Sequence, residues 1–207
     1  MNMQYLARGS KIRIAAIVGA MLLAASTGCS TMTTHTMSVD AITDGPAKFS
    51  GVSYRLVPRD PVLTREVLQY NLAVTCVNAA LGGKGMFPVS GNVTPELLIE
   101  IDYGEMPMLV LPGSPRLHEL YLQMSARKYR ADAPARNFRG DEIWNVRVSV
   151  KDPDPGLEHV LPILAAVATD YAGIERQPDN TIEVPDNAPE VVAVRNAAVG
   201  AHSKPGS

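Results

Sequence analysis

The sequence predicts an α+β fold: a mostly antiparallel sheet of about five strands with two helices packed on one face. Three observations predict it. Residues 97–103, 117–129 and 142–150 alternate apolar and polar side chains with the two-residue period of a strand. Residues 60–81 and 156–172 instead repeat apolar side chains at three- and four-residue spacing, the period of a helix. The order is strand, helix, several strands, helix, which suits a sheet covered on one side rather than an alternating parallel fold.

Residues 1–28 read as an export signal. Arg8, Lys11 and Arg13 open the chain without any acid, residues 14–25 are uncharged and largely apolar, and small residues lead up to Cys29. A cysteine at the cut site marks a bacterial lipoprotein signal, in which the thiol is acylated and the chain is cleaved just before it. Ser26 stands where such signals usually carry Leu, with Leu22 and Leu23 further upstream. The apolar run is shorter than the roughly 20 residues of a spanning helix, so a retained transmembrane anchor is the weaker reading. Cleavage by the ordinary secretory peptidase is the other alternative, because Ser26 and Gly28 are both small. By enterobacterial sorting rules, Ser30 after the cysteine, where an Asp would retain the protein, favours the outer membrane with the domain facing the periplasm.

Residues 29–38 are mostly Ser, Thr and Met, a polar tether in which His35 is expected to be solvated. The α+β domain is expected over 39–176. Its first strand falls at 49–57, where Phe49, Val52, Tyr54 and Leu56 alternate loosely before Pro58. Asp60 and Pro61 form a helix start. Leu63, Val67, Tyr70, Val74, Val77 and Leu81 make the stripe that follows, and Gly82-Gly83 ends it. A short strand restarts near Lys84–Phe87 by sequence, and residues 92–95 form a turn. In the strand at 97–103, Leu97, Ile99, Ile101 and Tyr103 face inward, opposite a largely wet face of Leu98, Glu100 and Asp102. Leu120, Leu122 and Met124 share one side of the next strand. Trp144, Val146, Val148 and Val150 form the inner side of the one after. The second helix carries Leu157, Val160, Leu161, Leu164, Val167 and Tyr171, tolerates Pro162 near its start, and closes at Gly173. Residues 177–207 read as a Pro/Asn-rich segment, a short strand at 191–194 and a flexible tail.

Removing residues 1–28 takes three of the 19 basic residues and none of the 21 acidic ones, leaving 16 against 21 and a formal charge of −5 over 179 residues. That is enough chain for one core, and its mild acidity argues against nucleic acid as a partner. Acylation of Cys29 would leave Cys76 without an intrachain partner. Within an apolar helical pattern, Cys76 is expected to be a buried small hydrophobe and not a reactive thiol.

Four stretches resemble a family of bacterial envelope lipoproteins known as domain of unknown function 4136. Lys48-Phe49-Ser50-Gly51-Val52-Ser53-Tyr54 is similar to its first strand. Val77-Asn78-Ala79-Ala80-Leu81 with Lys84-Gly85-Met86 is similar to its helix end and restart, with Met86 in place of the usual aromatic. Pro95-Glu96-Leu97-Leu98-Ile99 is similar to another strand, with Glu96 in place of Asp, and Ile143-Trp144 to a late one. The resemblance spans most of 39–172 and implies a lipid-anchored envelope protein, with no catalytic residues to carry over.

Three stretches are candidate sites. The loop at 104–115 places Met106, Met108, Leu109 and Leu111 between prolines. Exposed, they would be an adhesive patch for a partner or lipid; otherwise they extend a strand. Arg127, Lys128, Arg130, Arg136 and Arg139 cluster near Tyr129 and Phe138, at a hairpin tip marked by Asp132 and Pro134. They would meet phosphates or an acidic surface, or pair with Asp141 and Glu142. Asp152, Asp154, Glu158 and His159 lack both calcium-loop and zinc spacing and read as a helix-capping turn, so no metal or cofactor is expected. No G-x-S-x-G elbow or phosphate loop is present. The expectation is a non-catalytic lipoprotein anchored through Cys29 that binds or assembles with an envelope protein, lipid or glycan. The alternatives are an envelope hydrolase using His118 or His159 and a carrier of a lipid or other apolar ligand.

Overall fold

A computed structural model describes residues 33–45, 47–108, 117–130, 139–152, 156–176 and 181–202. The chain divides into two units, Met1–Met32 and Thr33–Ser207, and every described residue belongs to the second.

That unit is built on a seven-stranded mixed sheet. Its strands are β1 (Thr34–Thr43), β2 (Ser53–Pro58), β3 (Phe87–Pro88), β4 (Leu97–Pro107), β5 (His118–Tyr129), β6 (Arg139–Asp152) and β7 (Thr181–Pro185). Their spatial order is β3-β2-β4-β5-β6-β1-β7. Three helices accompany them: α1 (Val67–Gly83), α2 (Leu157–Tyr171) and α3 (Pro189–His202).

The class is α+β, but the expected plan of five strands and two helices is wrong in both counts. β1 supplies one extra strand. Residues 34–38, expected to be tether, are its first half, and it pairs antiparallel with β6 on one side and β7 on the other. Met37, Val39 and Ala41 are buried while Ser38 and Asp40 point away, so a strand period was present beneath a polar composition. β7 lies in the segment expected to be irregular. The expected strand at 191–194 and the tail behind it are α3. There Val191, Val194 and Ala198 are buried at three- and four-residue spacing.

The sheet is also not uniformly antiparallel. β2 runs parallel to both β3 and β4, with Tyr54 opposite Leu97 and Leu56 opposite Ile99. α1 connects β2 to β3, as a parallel crossover requires. From β4 onward the pairs are antiparallel, with a register shift between Ala126 and Tyr129 on β5.

The start of the first helix differs from its expected form. Asp60 does act as a cap, its carboxylate accepting from Val62 N at 2.8 Å, but it opens a 3₁₀ turn over Pro61–Arg65. α1 begins only at Val67, where Val67 and Leu68 are exposed instead of lying on the apolar stripe. Gly82 and Gly83 are helical, and the left-handed residue is Gly85, at φ 83°.

The core lies between one face of the sheet and the helices. Ile99, Ile101, Leu120, Leu122, Met124, Trp144, Val146 and Val148 pack there with Cys76 and Leu81 of α1 and Leu161 and Leu164 of α2. α2 packs on β5 and β6, and α3 packs against both other helices. Tyr54 is fully buried and donates to Asn78 Oδ1 at 2.8 Å, tying β2 to α1.

Candidate functional site

Sheet pairing disperses the basic cluster expected at a hairpin tip. Arg127 lies on β5 and points to the face away from the helices. Its Nη2 donates to Glu142 Oε2 at 2.8 Å, its Nε lies 3.7 Å from Glu100 Oε2, and Ser125 Oγ donates to the same Glu142 oxygen at 2.6 Å. Glu100 is only 4% exposed, so the supposedly wet side of β4 is buried here. Lys128 and Arg130 are exposed, Arg139 opens β6, and Arg136 lies outside the described residues. Further along the same face, Arg147 stacks 4.0 Å above the Tyr121 ring, and Gln123 Nε2 donates to Asn145 Oδ1 at 3.0 Å. Burial and Asp102 raise the Tyr121 phenol, and Arg147 partly opposes them. This is a polar sheet face with its charges mutually paired, a different object from a loose cationic tip.

The histidines sit apart. His118 Nδ1 meets Glu105 Oε1 across the β4–β5 ladder, while the His159 side chain is 81% exposed, 3.9 Å from Glu158. His35 is no linker residue: its side chain is 17% exposed and its Nε2 lies 3.2 Å from Asp186 Oδ1, which Arg195 Nη2 also meets at 3.0 Å. These groups border a shallow cleft of about 330 Å³. Among the described residues no group of three His, Cys, Asp or Glu side chains is placed to hold a metal.

The largest cavity with convergent chemistry lies where the 3₁₀ turn and the first turn of α1 cross the end of β4. It measures about 450 Å³ and is lined by Val62, Leu63 and Leu157 together with Arg65, Glu66 and Tyr103. Asp60 and Pro61 make this geometry, because the capped 3₁₀ turn sets Val62 and Leu63 beside β4 instead of continuing α1. Tyr103 is 3% exposed, and its buried hydroxyl has no hydrogen-bond partner. Burial, with Glu66, Tyr70 and Asp102 adding to it, pushes the phenol up to about 12, so it holds its proton near neutral pH. Apolar residues continue around the cavity: Val62 is 51% and Leu68 79% exposed.

Met106 ends β4 two residues past the cavity-lining Gly104 and is exposed; Met108 is half-buried. Leu109 and Leu111 lie outside the described residues. The alternation at 97–103 places Tyr103 inward, but its missing partner depends on how the 3₁₀ turn packs, which no local pattern encodes.

No protein-family model and no curated protein matches this chain. Among solved structures, a PelC dodecamer from Paraburkholderia phytofirmans aligns at 10% identity and TM-score 0.39, covering 68% of this chain and 99% of that one. A second crystal form of it aligns at TM-score 0.38, covering 64% and 93%. A PDZ domain protein from Parabacteroides distasonis aligns at 12% identity and TM-score 0.48, over 84% of this chain and 42% of that one. Likeness at this level carries no functional argument.

Proposed function

We propose that this chain is a lipid-anchored cell-envelope protein, held at the outer membrane through Cys29, whose periplasmic domain works by binding and not by catalysis. The observation that carries the reading is the basic start, apolar run and small residues that end on Cys29. The spacing around it is compatible: β1 begins at Thr34, five residues beyond Cys29. Among the described residues no helix is long and apolar enough to cross a membrane. A short covalent lipid tether would hold such a domain close to the bilayer, with a second contact strengthening the attachment.

The binding part is supported by the sites themselves. The two histidines considered for hydrolysis lie against carboxylates, and neither has a hydroxyl or thiol hydrogen-bonded to it among the described residues. The 450 Å³ cavity is apolar with a few polar groups, the usual character of a small-molecule site. Its occupants belong to the classes of lipid, glycan or envelope-protein segment.

The test is metabolic labelling of cells with a clickable palmitate analogue, followed by membrane fractionation. The wild-type chain is expected to take up the label and sediment with outer membranes, and Cys29→Ala to lose both. Equal labelling of wild type and Cys29→Ala would overturn the anchor.

A further inference from the structure

We infer that the cavity beneath the 3₁₀ turn is a binding site for a neutral acyl compound, a short apolar chain joined to an ester or amide carbonyl. This deepens the binding half of the proposed function and does not depend on the anchor.

Three observations converge. The first is Tyr103, whose hydroxyl is buried and lacks any partner. Buried phenols normally find a hydrogen bond, and an orphan beside a cavity is explained by a ligand that completes it. Because this phenol keeps its proton, it supplies a donor and calls for an acceptor. The second is the lining. Val62, Leu63 and Leu157 offer an apolar wall for the chain, and exposed Val67 and Leu68 extend it at the start of α1.

The third observation is charge. Arg65 is the one cation lining the cavity, against the carboxylates of Glu66 and Glu105. Glu66 and Asp102 both act on the Tyr103 phenol, so the donor sits in a negative field. A free fatty-acid carboxylate placed there would meet like charge, whereas a neutral carbonyl would not. The acceptor that fits is therefore uncharged. Glu105 is further committed to His118, which keeps it at the cavity edge.

The test is calorimetric titration of the full chain carrying Cys29→Ala, so that neither acylation nor detergent intervenes and failure of the anchor leaves this result intact. N-octanoyl ethanolamide, a neutral amide, and octanoate, its carboxylate counterpart, are the probes. The amide is expected to bind about tenfold more tightly than octanoate, and Tyr103→Phe to weaken the amide about tenfold, the loss of one hydrogen bond. The melting temperature of the free Tyr103→Phe chain should match its parent, since the hydroxyl has no protein partner to lose. Val62→Asp, at an exposed position on the cavity wall, should also abolish amide binding without unfolding the domain. Absence of amide binding, tighter binding of octanoate, or an unchanged affinity in Tyr103→Phe would each overturn the inference.

Discussion

Arg127 on β5 and Glu142 on β6 are joined by a 2.8 Å hydrogen bond at the point where the two strands shift register. The bulge leaves Arg127 opposite Glu142 and lets its Nε approach Glu100 on the other neighbouring strand. One guanidinium therefore ties together three strands and separates two carboxylates, one of them buried. Replacing it with an isosteric apolar residue, Arg127→Met, leaves both acids without that cation. The pair is only partly shielded from water, so the loss should fall below that of a fully buried pair, at about 2 kcal/mol. Equilibrium urea unfolding will read it as a lower midpoint at unchanged slope. Adding Glu142→Gln to that variant should restore part of the loss, because the second substitution removes one of the stranded charges.

Two tyrosines on adjacent strands make opposite predictions for the same substitution. Tyr54 donates to Asn78 Oδ1, so Tyr54→Phe removes a bond between β2 and α1 and leaves a half-buried amide short of a donor. The expected loss is about 1 kcal/mol. Tyr103→Phe removes no protein hydrogen bond and should leave the melting temperature within error. A calorimetric scan of both variants separates a structural hydroxyl from one held for a ligand.

These cases show what could be read from the sequence and what could not. β4, β5 and β6 were legible because their alternation is strong and their inner residues, such as Val146 and Val148, are unambiguously apolar. β1 was missed because Thr, Ser and Met around His35 have the composition of a linker, although Met37, Val39 and Ala41 already alternate with polar neighbours. α3 was missed because Ala and Gly thin its stripe, leaving Val191, Val194 and Ala198 to carry it. The parallel pairing of β2 with β3 and β4 depends on strand order, which hydrophobic period does not specify. The cation cluster failed for the same reason: neighbours in sequence were separated by the pleat, and the partners of Arg127 came from two other strands.

Gly173 closes α2 at φ 73°, a left-handed conformation that an L side chain adopts only under strain. A Cβ added there would also overlap the Ala47 side chain and lie 3.3 Å from Ala47 Cα, so the neighbour that must yield includes backbone. Gly173→Ala should cost about 2 kcal/mol through the two effects together. Gly82→Ala provides the control: it is helical, meets nothing within 4 Å, and should be neutral or slightly stabilising. Parallel thermal melts of the two variants test the contrast.

Cys76 gives the fold a weakness at alkaline pH. Its thiol is fully buried among apolar neighbours, and burial pushes it from an ordinary 9.0 up to about 12. Tyr103 moves the same way, from 10.0 to about 12, first through burial and then through Glu66, Tyr70 and Asp102. Both groups are neutral when protonated, so the folded chain holds protons that the unfolded chain releases at lower pH. Between the two values the unfolded state binds fewer protons, and stability falls as pH rises. The contribution is fully present below pH 9 and is lost through the window from about 9 to about 12. Urea midpoints measured from pH 7 to 11 should be level at first and then decline, with Cys76→Ala removing part of the slope. The reactive species is the thiolate, so the native chain should resist a thiol-specific reagent at pH 8 and react only as it unfolds. Rapid stoichiometric modification of the folded protein at that pH would show that Cys76 is open to solvent, contrary to its place between α1 and the sheet.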